Sequence, residues 1–225
     1  MKLLHVTDLH ANRRWFKWVA DYAEKYDVVA YTGDFFNIFC DESLGPQVRW
    51  ITDWANALPR PLLWCSGNHD VESSVAPVLS GRWMAALPGA RVFSKSGHAE
   101  VMELAFAQVG WRGTIPQRRA DSIVLAHAPP AGSFAATAKG GGMDAGDMNL
   151  GDALRSSSSP PWLVLCGHIH HPARWVDRVG DVNIVLSERH LDHSFVVRLA
   201  RVCPRKACFL RGSVESSGLS ACGAL

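Results

Sequence analysis

Five short apolar runs along the chain predict buried β-strands. They cover residues 2–7, 28–32, 62–66, 123–126 and 163–166. Between the first three runs, apolar and aromatic residues recur at helical spacing. This spacing predicts one amphipathic helix over residues 13–25 and a second over residues 46–58. The pattern favours an α/β fold with the strands in its interior.

Residues of the types that bind metals follow each of these five runs. In chain order they are Asp8 and His10, Asp34, Asn68 with His69 and Asp70, His127, and finally His168 and His170. Because side chains just past the carboxyl ends of the strands of an open α/β sheet converge on one crevice, we expect them to meet in space. Clustered buried carboxylates would be costly without a cation, so the pattern predicts a metal site.

The second half of the chain predicts two hairpins and one unusual loop. Residues 91–112 alternate without helical period and are expected to form a hairpin that turns at Gly97. Residues 181–187 and 194–200 are expected to form a closing hairpin. The Gly-rich stretch 132–151 follows His127, so we expect either a lid over the crevice or a disordered surface insertion.

Length and composition fit one well-cored domain. The chain has 225 residues, of which 48% are hydrophobic. We expect residues 1–202 to form the catalytic domain, and residues 203–225, which lack a clear period, to form a poorly ordered tail.

Charge and hydropathy exclude several classes of partner. The chain carries 23 basic and 21 acidic residues, which argues against a broad nucleic-acid-binding face but not against a small phosphorylated substrate. No apolar run approaches the roughly 18 residues of a membrane span, and no signal-peptide pattern is present, so we expect a cytoplasmic protein that does not bind membranes. Its cysteines lack zinc-site spacing and are expected to be reduced.

The five motifs, in their order, resemble those of the calcineurin-like metallophosphoesterase superfamily. The motifs are DxH, GD, GNHD, a lone His and GHxH, and the resemblance runs from about residue 1 to residue 200. The His-Ala-Pro-Pro segment, the Gly-rich loop and CGHIHH look most like the small phosphodiesterase-like members. The resemblance implies a four-layer α/β/β/α sandwich, in which two mixed sheets are flanked by helices and the metals lie at one edge.

The resemblance also implies how the residues share the work around two divalent metal ions. Asp34 would bridge the ions. The other metal ligands would be Asp8, His10 and His170 for the first ion, and Asn68, His127 and His168 for the second. A hydroxide that bridges the ions would attack the phosphorus in line.

Three residues are expected to act on the substrate. His69 would protonate the leaving group, and Asp70 could orient it. Asn68 could donate a hydrogen bond to the transition state as well as bind metal. Asn12 could contact a phosphate oxygen.

The donor set narrows the choice of metal. It combines three oxygen donors with four nitrogens and contains no thiolate. Such a mixture suits Mn²⁺, Fe²⁺ or Zn²⁺ better than Mg²⁺ or Ca²⁺. The donor set does not choose among these ions; the resemblance to the family implies Mn²⁺, with Fe, Zn and Ni as alternatives.

Three positions depart from the family pattern. Ala11 replaces a common Gly, and its methyl group is tolerable unless the backbone there needs a positive φ. Asn37 stands where protein Ser/Thr phosphatases have an Asp, which argues against that branch. Residues 183–190 replace an Asn-Pro-Gly turn found in many small members, which leaves the substrate open.

The expected function is hydrolysis of a small phosphodiester or phosphomonoester, with nucleotides among the candidates. A DNA-repair nuclease is an alternative, although those members carry an added region for which this chain is too short. A non-catalytic scaffold that keeps the fold is the other alternative, since fold alone does not establish function.

Overall fold

The computed structural model describes residues 1–71, 96–113, 115 and 122–187, together with the backbone of three later strands. Two six-stranded mixed sheets form the centre of the protein. The described residues form three hydrophobic cores between the layers. The first lies between two helices and the first sheet, the second between the two sheets, and the third between the second sheet and another helix. The expected four-layer α/β/β/α sandwich is confirmed.

The first sheet carries the first three of the motifs predicted to bind metal. Its strands, in chain order, are β1 (Lys2–Val6), β2 (Val28–Thr32), β3 (Leu62–Cys65), β10 (Phe195–Arg198), β11 (Ser213–Ser216) and β12 (Leu219–Ala221). Their spatial order is β12-β11-β10-β1-β2-β3. Strands β1, β2 and β3 run parallel, so the loops after them emerge at one edge.

The second sheet carries the last two motifs. Its strands are β4 (Ser96–Val101), β5 (Leu104–Val109), β6 (Ile123–Ala126), β7 (Leu163–Cys166), β8 (Val176–Val179) and β9 (Val182–Leu186). Their spatial order is β4-β5-β6-β7-β9-β8, with β5, β6, β7 and β9 parallel. The loops after β6 and β7 therefore meet at one edge of this sheet, as those after β1 to β3 do in the first.

The helices cover the outer faces of the sheets. Helices α1 (Arg13–Ala23) and α2 (Leu44–Ala57) pack on the first sheet, and the one-turn α3 (Asn68–Val71) follows β3. Helix α4 (Met148–Ser156) packs on the second sheet through Leu150 and Leu154. No helix in the described ranges is both long enough and apolar enough to span a membrane.

Of the two predicted hairpins, the first is confirmed with a different turn and the second is wrong; residues 91–95 of the first lie outside the described residues. Gly97 lies inside β4 opposite Gln108, and the turn falls instead at Met102 and Glu103, whose φ angles are 49° and 66°. The two segments of the predicted closing hairpin belong to different sheets, because β9 pairs with β7 and β8 whereas β10 pairs with β1. Local alternation could not reveal this, since partner choice depends on the whole sheet.

The Gly-rich loop and the C-terminal segment also contain structure. The loop includes a 3₁₀ turn, Phe134–Ala136, and α4 begins within it; its backbone bonds to the segment after the last motif, from Lys139 N to His171 O and from Ala173 N to Thr137 O. The backbone of β11 and β12 extends the first sheet in the region where we expected a poorly ordered tail. The domain boundary at residue 202 stays a prediction.

Asp70 ties the loops after β2 and β3 together. One carboxylate oxygen accepts hydrogen bonds from the N–H groups of Asp34 (2.9 Å) and Gly67 (2.8 Å), and the other from those of Phe35 (2.9 Å) and Phe36 (3.3 Å). Burial and the Asp34 charge raise the pKa of Asp70 to about 7, against these hydrogen bonds. Because backbone donors occupy both oxygens, the expectation that Asp70 orients His69 is wrong.

Asp70→Asn should destabilise the fold at pH 8, where the carboxylate is ionised. The new amide group would direct N–H donors at two backbone donors, and we expect the free energy of unfolding to fall by about 3 kcal/mol. Urea unfolding would measure it. Asp53→Asn on the exposed face of α2 is the matched control and should change little; an equal, small effect of both substitutions would contradict the role of Asp70.

Ala11 lies in the left-handed region of the Ramachandran plot, with a φ of 53°. At a positive φ the Cβ of Ala11 approaches the backbone closely, which costs about 1–2 kcal/mol of stability relative to Gly. The methyl group in place of the family's common Gly is therefore unfavourable here.

Ala11→Gly should therefore stabilise the protein by about 1 kcal/mol, after the loss of a small apolar contact. Ala20→Gly, within α1, should destabilise it by about the same amount because that backbone is helical. Urea unfolding of both variants would measure the two signs. A loss of stability in Ala11→Gly would contradict the strain.

Candidate metal centre

Asp8 provides a buried carboxylate oxygen without a hydrogen-bond donor. The side chain is 2% exposed. Its Oδ2 accepts hydrogen bonds from the Thr7 hydroxyl (2.6 Å) and the His168 backbone N–H (3.0 Å). Its Oδ1 has no hydrogen-bond partner among the described residues and lies 3.9 Å from His10 Nε2 and 3.5 Å from His170 Nε2. A buried carboxylate oxygen in this state is costly unless a cation contacts it.

Asp34 lies at the centre of the predicted ligand set. Its Oδ1 accepts a hydrogen bond from the His69 backbone N–H at 2.9 Å. Its Oδ2 lies 3.3 Å from His127 Nε2, and 3.8 Å from both His10 Nε2 and His69 Nε2. One oxygen of Asp34 therefore faces imidazoles from three different loops, which is the position that a bridging ligand needs.

Backbone carbonyls orient two of the imidazole rings. His10 Nδ1 lies 3.2 Å from Phe36 O, and His127 Nδ1 lies 2.7 Å from Thr32 O. In a neutral, metal-bound ring, an N–H at Nδ1 would donate to each carbonyl and leave the Nε2 lone pair for a cation. Such second hydrogen bonds are the usual way in which metal-binding histidines are held.

The remaining predicted ligands lie beside His127. Asn68 Oδ1 is 3.0 Å from His127 Nε2, and the ring centroid of His168 is 5.0 Å from that of His127. The structure thus brings all seven predicted ligands together. Among the described residues, three groups have ligand atoms within 4.8 Å of one another: Asp8, His10 and His170; His10, Asp34 and His69; and Asp8, Asp34 and His127.

Asn12 has a structural role that the sequence did not predict. It is the N-cap of α1, and its side-chain oxygen accepts a hydrogen bond from Arg14 N at 3.2 Å. Contact of Asn12 with a phosphate oxygen stays a prediction.

The carboxylates and imidazoles shift each other's ionisation in the metal-free protein. Burial opposes the charged forms of Asp8 and Asp34, but the adjacent His127 and hydrogen bonds hold the pKa of each carboxyl below its usual value. Burial alone would lower the pKa of His127, yet the two carboxylates raise it to about 10. Burial and then His127 lower the pKa of His168 to about 4. The two carboxylates therefore stabilise positive charge in this crevice, and a divalent cation could take the place of the proton on His127.

The residues present therefore fit a metal. Asp8 Oδ1 and Asp34 Oδ2 direct lone pairs into one buried space, and the imidazoles that face them would do so too once a metal displaces their protons. The set has the mixed oxygen and nitrogen donors of a transition-metal site.

The backbone is strained at these positions. Four of the seven predicted ligands have positive φ angles: Asp8 at 52°, His10 at 44°, Asp34 at 62° and His168 at 69°. Residues other than Gly rarely adopt such angles, and they occur most often at functional sites, where the surrounding structure enforces them. The fold holds these side chains in geometries that local preference alone would not select.

Two glycines allow the loops to approach the carboxylates closely. A Cβ at Gly67 would collide with Asp34 Oδ1, and a Cβ at Gly167 would collide with Thr7 Oγ1 and Asp8 Oδ2. Glycine before Asn68 and before His168 is therefore required for the backbone to reach the site.

Sequence reasoning missed two aromatic residues beside the site. The Trp111 ring centroid lies 5.7 Å from that of His127 and 5.1 Å from that of His168. The Phe39 ring centroid lies 5.4 Å from that of His69. The position of Trp111 just after β5 was a signal, because β5 runs parallel to β6 and ends at the same edge. Phe39 had no such signal, since it lies in an irregular loop.

Solved structures share the fold at low identity. The protein TT1561 of Thermus thermophilus is 14% identical, with 87% of this chain and 93% of that chain covered and a TM-score of 0.58. The structure of a novel archaeal phosphodiesterase is also 14% identical, with 89% and 94% covered and a TM-score of 0.51. Identities this low show a common fold and no more. No curated protein matches the chain significantly.

Most of the sequence also matches one protein family. The calcineurin-like phosphoesterase family matches residues 1–172, a range that contains every predicted metal ligand. Family members use divalent metals, in agreement with the candidate ligand groups. The chain therefore belongs to the calcineurin-like phosphoesterase family.

Proposed function

We propose that this protein hydrolyses a small phosphodiester or phosphomonoester at a dinuclear metal centre, with nucleotides among the candidate substrates. The observation that carries the proposal is Asp34 Oδ2, a buried carboxylate oxygen that three imidazoles from separate loops face at 3.3–3.8 Å. Among the described residues, Asp34 belongs to two candidate ligand groups, one with His10 and His69 and the other with Asp8 and His127, which supports a site for two ions.

The residues around Asp34 divide into two sets. His10 and His170 face Asp8 Oδ1, which supports one ion. Asn68 lies beside His127, the imidazole nearest to Asp34 Oδ2, which supports a second. When bound, divalent cations lower the pKa of water and polarise phosphate oxygens. Asp34 would fix the spacing of the ions, and no Ser or Cys nucleophile is called for.

His69 is suited to protonate the leaving group. Its backbone N–H donates to Asp34 Oδ1, which fixes the residue next to the reacting centre. Its ring packs against His10 at a centroid distance of 4.5 Å, and Nε2 faces the crevice. The same Nε2 also lies close enough to Asp34 and His10 to bind a metal ion. Measuring the number of ions bound by a His69 variant distinguishes a metal ligand from a general acid.

Mn²⁺ is the proposed ion in the cell, with Fe²⁺, Zn²⁺ and Ni²⁺ as alternatives. The near-neutral charge of the chain, 23 basic against 21 acidic residues, favours a small substrate over a nucleic acid.

Metal-stripped protein resupplied with Mn²⁺ should hydrolyse bis(p-nitrophenyl) phosphate or p-nitrophenyl phosphate. Fe²⁺, Zn²⁺, Ni²⁺ and Mg²⁺ are tested in parallel, and nitrophenolate release is followed by absorbance. Asp34→Asn should lose metal and turnover together, whereas Asp53→Asn, on the exposed face of α2, should keep both. Absence of turnover with every ion, although about two ions bind per chain, would sink the proposal and favour a non-catalytic scaffold.

His69→Ala should keep both ions but lose rate unequally. General acid catalysis contributes about 100-fold or more on esters with poor leaving groups, and less on nitrophenyl esters, which need less help from a proton. Metal content and the rates on alkyl and nitrophenyl esters are compared. His98→Ala, on exposed β4, is the control. Equal losses on both esters, or loss of one ion, would remove His69 from the general-acid role.

A further inference from the structure

Phe39 is a large apolar residue that the fold exposes beside the site. Its side chain is 82% exposed. Its ring meets the His69 ring at an interplanar angle of 82° and a centroid distance of 5.4 Å, a T-shaped contact. Apolar surface beside a polar crevice is typical of a ligand-binding position.

Hydrogen bonds from helix α2 hold the loop that carries Phe39 in place. The fully buried Gln47 of α2 donates to Asn37 O (3.0 Å) and Glu42 O (2.8 Å), and its side-chain oxygen accepts from Asn37 N (3.0 Å). The Asn37 side chain accepts from Phe39 N at 3.0 Å. A buried glutamine therefore fixes the backbone on both sides of an exposed ring, so Phe39 is presented in a defined position before any substrate arrives.

The neighbours of His69 define where the leaving group must lie. His10 packs against the His69 ring at 4.5 Å, and Phe39 packs against it at 5.4 Å. A group that receives a proton from His69 must lie within hydrogen-bond reach of its ring, and hence close to the Phe39 ring.

We propose that Phe39 is a specificity-determining residue that stacks against the leaving group, and that the preferred substrates are phosphoesters with a planar aromatic leaving group. This inference rests on the proposed function of the site. A planar group would cover apolar surface on the exposed ring, whereas a compact alkyl group would leave most of it in water.

An exposed methionine at the far edge of the second sheet provides a control. Met102 is 61% exposed and lies in the turn before β5. Because β5 runs parallel to β6, this turn lies at the opposite edge of the sheet from the loop that carries His127. Met102→Ala removes exposed apolar surface without changing the crevice.

The test compares two methyl phosphodiesters whose leaving alcohols have similar acidity but different shape, phenol and hexafluoroisopropanol. Full-length, Mn²⁺-loaded protein is used, and methyl phosphate is followed by ³¹P NMR. Phe39→Ala should lower kcat/KM for the phenyl ester about five-fold more than for the fluoroalkyl ester, the size expected for one aromatic contact. Phe39→Tyr, which keeps an aromatic ring, should retain the unmodified protein's kcat/KM for the phenyl ester, and Met102→Ala should match the unmodified protein on both esters.

Three other outcomes overturn the inference in distinguishable ways. Equal losses on both esters in Phe39→Ala would show that Phe39 only positions His69. Wild-type rates in Phe39→Ala would show that the leaving group does not reach the ring. Hydrolysis of neither ester by the metal-loaded unmodified protein would overturn the proposed function, and the inference with it.

Discussion

Asp8 and Asp34 are buried carboxylates whose oxygens lie within 4.8 Å of one another, and the rest of the structure depends on how their charges are balanced. Two unit charges at this separation repel by about 3–4 kcal/mol at an effective dielectric constant of about 20. Hydrogen bonds from Thr7 and from the His69 and His168 backbones satisfy one oxygen of each carboxylate. The other oxygens face imidazoles, which can balance the charge as protonated rings or as ligands that share a divalent cation with the carboxylates.

The fold maintains this arrangement at the expense of local backbone preference. Several predicted ligands have positive φ angles, which cost backbone free energy in residues other than Gly. Two neighbouring positions accept only Gly, because a Cβ there would collide with a carboxylate. Asp70 compensates by accepting four backbone hydrogen bonds that join the loops after β2 and β3. The two sheets then bring these loops together with those after β6 and β7, whose histidines complete the set.

The sequence predicted which side chains lie close together better than it predicted the sheets. Strands β2, β6 and β7 matched their predicted limits, because a fully buried strand is a continuous apolar run with clear ends. The first hairpin formed with its turn displaced from Gly97 to Met102 and Glu103, whereas the closing hairpin failed, because strand partners depend on distant residues and not on local alternation. The position of Phe39 could not be predicted, because the loop that carries it is held by hydrogen bonds from Gln47 to the backbone of Asn37. No local sequence pattern connects an exposed loop residue to a buried glutamine eight positions later.

The most direct test of the central claim is to locate the ions. Crystals grown with Mn²⁺ should show two anomalous-scattering peaks roughly 3.5–4 Å apart. One should lie beside Asp8 and the other beside His127, with Asp34 Oδ2 between them. A single peak, or peaks that do not share Asp34, would contradict the account.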